Sequence, residues 1–132
     1  MMLLDTSGLL CYYHAGEPQH KNAVKFFDAA PTRLTHNYVL AEFVPLCYAR
    51  GLNRGRVLAF AADLLDNPHV EVVWVDEPLH RAGLALLQAR PDKGYSLCDA
   101  VSLALMAERG ISDALTTDHH FEQEGFVRLL KP

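Results

Sequence analysis

Residues 1–7, Met1-Met2-Leu3-Leu4-Asp5-Thr6-Ser7, decide the fold. Four apolar residues run straight into a carboxylate, and Thr6, Ser7 and Gly8 then switch the chain into another pattern. That is the signature of a short buried strand with an aspartate at its C-terminal end. In open α/β sheets the carboxyl ends of the strands are where ligands bind. Asp5 therefore marks one corner of a candidate site, and the remaining elements must bring the other groups to it.

Working outward, residues 6–15 read as a short helix broken by Gly16 and Pro18, and residues 20–30 as a second helix ending before Pro31. Arg33 to Thr35 is a weak strand. Residues 38–50 form a helix with Val39, Leu40, Phe43, Val44 and Cys47 on one face, Gly51 as its cap, and Pro45 as an expected kink. Residues 53–67 are a cleaner amphipathic helix carrying Val57, Leu58, Ala61, Leu64 and Leu65. The β-branched run 70–75 is a strand. Asp76 then caps a helix to about Arg90, with Pro78 in its first turn. After a polar loop, Ser96 opens a helix to Arg109 closed by Gly110. Residues 114–117 form a strand ending at Asp118, and residues 126–130 a last strand. Strands alternating with helices imply α/β architecture, a small three-layer α/β/α sandwich on a short, mainly parallel sheet.

At 132 residues, half of them hydrophobic, the chain has the size of one domain spanning residues 1–132. Three well-separated cysteines, Cys11, Cys47 and Cys98, argue against a disulfide framework or zinc ribbon and for a reducing, cytoplasmic setting. No basic segment precedes the apolar start, so no secretory signal is expected, and no apolar run approaches the roughly 18 residues of a membrane span. A net charge of −4 rules out a global basic field. If nucleic acid is the substrate, it is met through a local groove or through metal ions.

Four acids stand out. Asp5 and Asp118 each end an apolar strand and precede a helical segment, which also suits a helix cap. Asp99 lies three residues after Ser96 and completes a capping box. Its helix, however, is apolar nearly all round, and the aspartate lies on the stripe shared by Leu103 and Met106. Glu42 sits inside its helix with Tyr38, Val39, Pro45 and Leu46 at helical spacing, so it has no local cation to pair with. Two carboxylates about 5 Å apart repel by roughly 3 kcal/mol at an effective dielectric of 20. Four converging on one sheet end need a cation or raised pKa values. An all-oxygen donor set points to Mg²⁺ or Mn²⁺ and not zinc.

These segments resemble the PIN-domain ribonucleases, and within them the VapC-like toxins of bacterial toxin–antitoxin pairs. The resemblance is carried by LLDTS around Asp5, YVLAEFV with Glu42, DKGYSLCDAVSLALM with Asp99, and LTTDHHFEQEGF with Asp118. It implies a parallel sheet with flanking helices, a Mg²⁺ or Mn²⁺ site and endonucleolytic cleavage of RNA by metal-activated water. It also implies homodimerisation and inhibition by a cognate antitoxin. By the same resemblance Asp5, Glu42, Asp99 and Asp118 are the metal-binding and catalytic acids. Ser7 and Thr116 occupy hydroxyl positions beside them, and Asp92 the place of an additional acid. Cys98 stands where the family often has threonine.

Other groups carry less. Arg50, Arg54 and Arg56 read as a solvated charged turn, and His119 and His120 as loop-stabilising residues without a catalytic role. The helices at 38–50 and 53–67 hold more apolar surface than a small sheet face needs, which makes them a candidate partner surface. A haloacid-dehalogenase-type site wants a second aspartate where Ser7 stands. The Walker lysine loop, the Gly-x-Ser-x-Gly elbow and the His-Glu-x-x-His helix are absent. The rival functions are a catalytically idle PIN-like module that binds RNA or protein, and a DNA-directed metal nuclease.

Overall fold

The computed structural model describes residues 1–132. Its strands are β1 (Met2–Leu4), β2 (Arg33–His36), β3 (Val70–Val73), β4 (Asp113–Leu115) and β5 (Val127–Arg128). The helices are α1 (Thr6–Tyr13), α2 (His20–Ala29), α3 (Asn37–Ala49), α4 (Arg54–Asp66), α5 (Glu77–Ala89), α6 (Leu97–Arg109) and α7 (His120–Gln123). All strand pairs are parallel, in the order β3-β2-β1-β4-β5. The α/β sandwich expected from the alternation is the one observed. β1 is central, and the strand order changes direction beside it, which opens a crevice at the carboxyl ends of β1 and β4.

Side-chain alternation along β1 feeds two cores. Met2 and Leu4 join Leu9, Phe27, Val39, Phe43, Val57 and Leu64 under α1–α4. Leu3 points the other way, to Leu34, Val101, Leu105, Met106 and Phe121 under α5–α7. Both faces of β1 are covered, which is why its sequence is uniformly apolar.

Several ends differ from the sequence reading. β3 stops at Val73 because its only neighbour ends there: His36 pairs with Val73, and Asn37 already begins α3. Trp74 is left 64% exposed, and Val75 N–H donates to the Asn37 side chain at 2.6 Å instead of to a strand. β4 ends at Leu115, two residues before the expected end, because Thr116 and Thr117 bend toward the site. Thr117 N–H donates to Ser7 Oγ at 3.0 Å. α1 ends at Tyr13, where His14 turns extended, and α3 runs continuously through Pro45.

Local signals elsewhere hold. Asn53 and Asp76 cap α4 and α5 by accepting from Arg56 N–H at 3.0 Å and Leu79 N–H at 2.9 Å. Gly110 closes α6 at φ 67°. At the end of β2, His36 is fully buried, with Nε2 2.7 Å from Ser102 Oγ of α6 and Nδ1 without a partner. Burial lowers its pKa to about 4.

Candidate active site

The β1–β4 register places Leu4 opposite Leu115, so the next residues, Asp5 and Thr116, leave the sheet side by side. Thr116 Oγ1 donates to Asp5 Oδ2 at 2.7 Å. Ser7 Oγ lies 3.1 Å from Thr116 Oγ1 and 3.4 Å from Asp5 Oδ2. Thr116 has spent its one hydroxyl proton on Asp5, so in the Ser7–Thr116 pair Ser7 is the donor. Asp5 is the N-cap residue of α1 by position, yet its side chain makes no capping bond. The helix-cap explanation of Asp5 therefore fails, and its carboxylate is directed to the sheet end.

Asp99 takes part in a helix cap and also meets a residue beyond β4. Its N–H donates to Ser96 Oγ at 3.0 Å, and its Oδ2 accepts from Ser96 N–H at 3.1 Å, a complete capping box. The same Oδ2 lies 3.1 Å from His120 Nδ1. These bonds all use one oxygen and leave Oδ1 clear of them. Asp118 accepts from His120 N–H through Oδ1 at 2.9 Å, and its Oδ2 is 3.2 Å from His120 Nδ1. The Asp118 N–H in turn donates to Thr116 Oγ1 at 3.0 Å.

Glu42 arrives from α3 on the other side. Thr6 Oγ1, in the first turn of α1, donates to Glu42 Oε1 at 3.2 Å across 36 residues of sequence. The Cys98 thiol lies in the field of the same carboxylate. Burial, then the charges of Glu42, Asp5 and Asp99, push its pKa upward. Cys98 is thus wrapped by three of the four acids. Asp5 is the deepest of them. Burial foremost, then Asp99 and Asp118, raise its pKa from 3.8 to about 7 against the opposing Thr116 hydrogen bond. Burial alone raises a carboxyl's pKa, and the two neighbouring carboxylates add to it.

Ser7 and Thr116 are brought to Asp5 as expected, but Asp92 is not. It stands on an exposed loop with its side chain 73% exposed, 3.9 Å from Lys93 Nζ and in no contact with the four acids. The arginines stay outside as well: Arg50 pairs with Glu17, and Arg54 packs over Tyr48. His120 is the residue that sequence reading undervalued. Its nitrogen lies between two of the acids, and Asp118, His119 and His120 together form a group able to hold a metal ion. The signal was the His-His pair directly after Asp118, which a loop-stabilising reading set aside.

The buried thiols yield a simple expectation. Cys11, Cys47 and Cys98 are all buried, and burial pushes each pKa up, that of Cys47 to about 11. Thiolates are the reactive form. At pH 8 in EDTA the folded protein should show no thiol labelling with Ellman's reagent over minutes, and three equivalents once unfolded in guanidinium. Prompt labelling of the folded chain would contradict the site packing around Cys98.

Comparison with known proteins agrees with this architecture. The family model described as PIN domain matches residues 2–126. The 23S rRNA-specific endonuclease VapC20 of Mycobacterium tuberculosis (strain CDC 1551 / Oshkosh) is 32% identical over 130 residues, 98% of each chain. The protein of the same name in strain ATCC 25618 / H37Rv matches to the same extent. The crystal structure of M. tuberculosis VapC20, described as a sarcin-ricin loop cleaving toxin, superposes with a TM-score of 0.89. It is 29% identical and covered in full, as is this chain. The match spans the sheet and both helical layers, and the chain belongs to the PIN-domain family as a VapC-like member.

Proposed function

We propose that this chain is a divalent-metal-dependent endoribonuclease and the toxin of a toxin–antitoxin pair, with Asp5, Glu42, Asp99 and Asp118 as its metal-binding and catalytic acids. The observation that carries the reading is the buried Asp5 carboxyl, raised to about 7 by burial and by Asp99 and Asp118, because such a centre is completed by a cation. The donors fit that role: carboxylate oxygens suit Mg²⁺ or Mn²⁺. When bound, the cation supplies Lewis-acid charge at the scissile phosphate and lowers the pKa of a bound water.

The chain's own residues divide the remaining work. Asp5 is the inner anchor, oriented by the Thr116 hydroxyl, which Ser7 orients in turn. Asp99 and Asp118 flank it, each fixed through hydrogen bonds to backbone N–H groups and to His120. Glu42 is the most exposed of the four and lies toward the open side, steadied by the Thr6 hydroxyl. The acidic protein then meets an anionic substrate through the cation and needs no basic groove.

The likeness to VapC20 supports an rRNA stem-loop as the substrate to test first. Purified protein with a sarcin–ricin-type stem-loop should cut at one position in Mg²⁺ or Mn²⁺, stop in EDTA, and stop in Asp99→Asn. Cleavage surviving both chelation and substitution would sink the metal-nuclease reading. Cutting of single-stranded DNA in preference to RNA would move it to the DNA-directed rival. Absence of any cutting would favour the idle binding module.

The expected partners are a second copy of the chain and a cognate antitoxin, in the cytoplasm. No helix is long and apolar enough to cross a membrane. Tyr48, Leu58 and Leu65 leave apolar surface exposed on α3 and α4, which supports that hairpin as the partner face. A monodisperse monomer by light scattering at micromolar concentration would count against the dimer.

A further inference from the structure

Resting on the metal-centre reading above, we infer that His120 is a positioning residue of the centre: its Nδ1–H holds the Asp99 and Asp118 carboxylates convergent, and Tyr95 with the Arg90–Glu124 pair fixes its ring. His120 Nδ1 lies 3.1 Å from Asp99 Oδ2 and 3.2 Å from Asp118 Oδ2. Both neighbours are carboxylate oxygens, which accept and do not donate, so Nδ1 is the nitrogen that carries the proton. The Nδ1 hydrogen bond goes to Asp99 at the mouth of α6, with Asp118 of the loop after β4 at contact distance from the same nitrogen, so one positive edge faces two groups that otherwise repel. The backbone N–H of His120 donates to the second oxygen of Asp118 at 2.9 Å, so this residue grips that carboxylate at both ends. On Asp99 it shares the oxygen already held by Ser96 N–H, which keeps the other oxygen for a cation.

The imidazole is itself held. Tyr95, only 7% exposed, sets its ring against that of His120 at 5.0 Å and 61°. The Tyr95 hydroxyl donates to Glu124 Oε2 at 2.9 Å, and Glu124 accepts from Arg90 Nε and Nη2 at 3.2 and 3.1 Å. A side chain free to rotate would bridge two acids only part of the time. This one is braced from behind by a tyrosine that is tied to an ion pair. Groups that orient metal ligands in this way typically contribute about 10–100-fold to metal affinity or activity.

The test uses the two amides that divide the imidazole between them. His120→Asn places an N–H donor near Nδ1 but offers no nitrogen lone pair, whereas His120→Gln places its donor near Nε2, away from the acids. Mn²⁺ titration of the full-length chain, followed by electron paramagnetic resonance, reads affinity without cleavage, and melting in EDTA reports the fold. His120→Gln is expected to bind Mn²⁺ about 10–100-fold more weakly than the unaltered chain, with His120→Asn within about 5-fold of it and both melting alike. Unaltered affinity in His120→Gln overturns the inference. So does an Asn variant as weak as the Gln variant, which would instead assign His120 as a direct ligand through its lone pair. If the unaltered chain itself fails to bind Mn²⁺, the metal-centre reading falls, and this inference with it.

Discussion

Asp5→Asn is expected to lower RNA cleavage by more than about 100-fold and, in EDTA at pH 8, to make the fold more stable. Losing an outer partner of a metal ligand typically costs about 10–100-fold, and Asp5 is proposed as a ligand itself. The stability gain follows from linkage. The Asp5 pKa rises from 3.8 in the unfolded chain to about 7 in the folded one, so the folded state keeps a proton that the unfolded state gives up. Stability attributable to Asp5 is therefore lost as pH rises from about 4 to about 7, and the loss is complete at pH 8. A rise of that size corresponds to at most about 4 kcal/mol. Asparagine removes the charge and still accepts the Thr116 hydroxyl through its Oδ1. His36 acts in the opposite sense. Its folded pKa is about 4 against 6.5 unfolded, so its contribution is complete above pH 6.5 and is lost as pH falls. In the metal-free chain the two slopes oppose each other between about pH 4 and 6.5. Asp5→Asn leaves His36 alone, so the variant should gain stability with rising pH across that window while the unaltered chain stays nearly flat. Urea midpoints across pH 4–8 in EDTA test this. A variant less stable than its parent at pH 8 would show that Asp5 is a structural residue first.

Gly8→Ala should lower stability by about 3 kcal/mol and scatter the site. A Cβ on Gly8 would lie 1.8 Å from the Leu115 carbonyl oxygen and 2.5 Å from its carbon. Neither is a flexible side-chain end. That carbonyl accepts from Asp5 N–H at 3.2 Å, so it cannot retreat without pulling β4 away from the end of β1. Overpacking typically costs about 1–3 kcal/mol and more where backbone must move, against about 1 kcal/mol that alanine gains over glycine in a helix. For a chain of this size, a net 3 kcal/mol lowers the melting temperature by roughly 10–15 °C. Gly83→Ala is the contrasting case. Its new Cβ would meet Val101 Cγ2 at 2.8 Å, a buried side chain and not a backbone carbonyl, and a smaller cost of about 1–2 kcal/mol is expected. Equal melting of Gly8→Ala and the unaltered chain would show that α1 docks against β4 less tightly than the structure has it.

The same close approach explains why cleavage should fall in Gly8→Ala beyond what unfolding accounts for. α1 begins at Thr6, whose hydroxyl holds Glu42, and Ser7 of the same turn hydrogen-bonds Thr116 and Thr117. One displaced turn therefore disturbs Asp5, Glu42 and the loop to Asp118 together.

Much of the architecture is local and was legible from residues alone. The apolar run into Asp5, the capping box at Ser96 and Asp99, the caps at Asn53 and Asp76, and the turn at Gly110 are all set by groups a few residues apart. Strand ends were less legible, because a strand ends where its neighbour does: β3 stops at Val73 because β2 turns into α3. Pattern alone holds no record of a partner's length.

By itself the sequence determined an α/β sandwich with Asp5 at the end of β1 and Asp118 beyond β4, since apolar runs and helical periodicity follow from chain-local sterics and burial. Only the tertiary structure decided what joins them. Thr6 reaches Glu42 across 36 residues and Thr116 reaches Asp5 across 111, contacts that the strand order and register create. It also left Asp92 in solvent and put His120 between two acids, though both residues lie close in sequence to a candidate ligand. Electrostatic convergence depends on distance through space, and that is fixed only when the sheet forms.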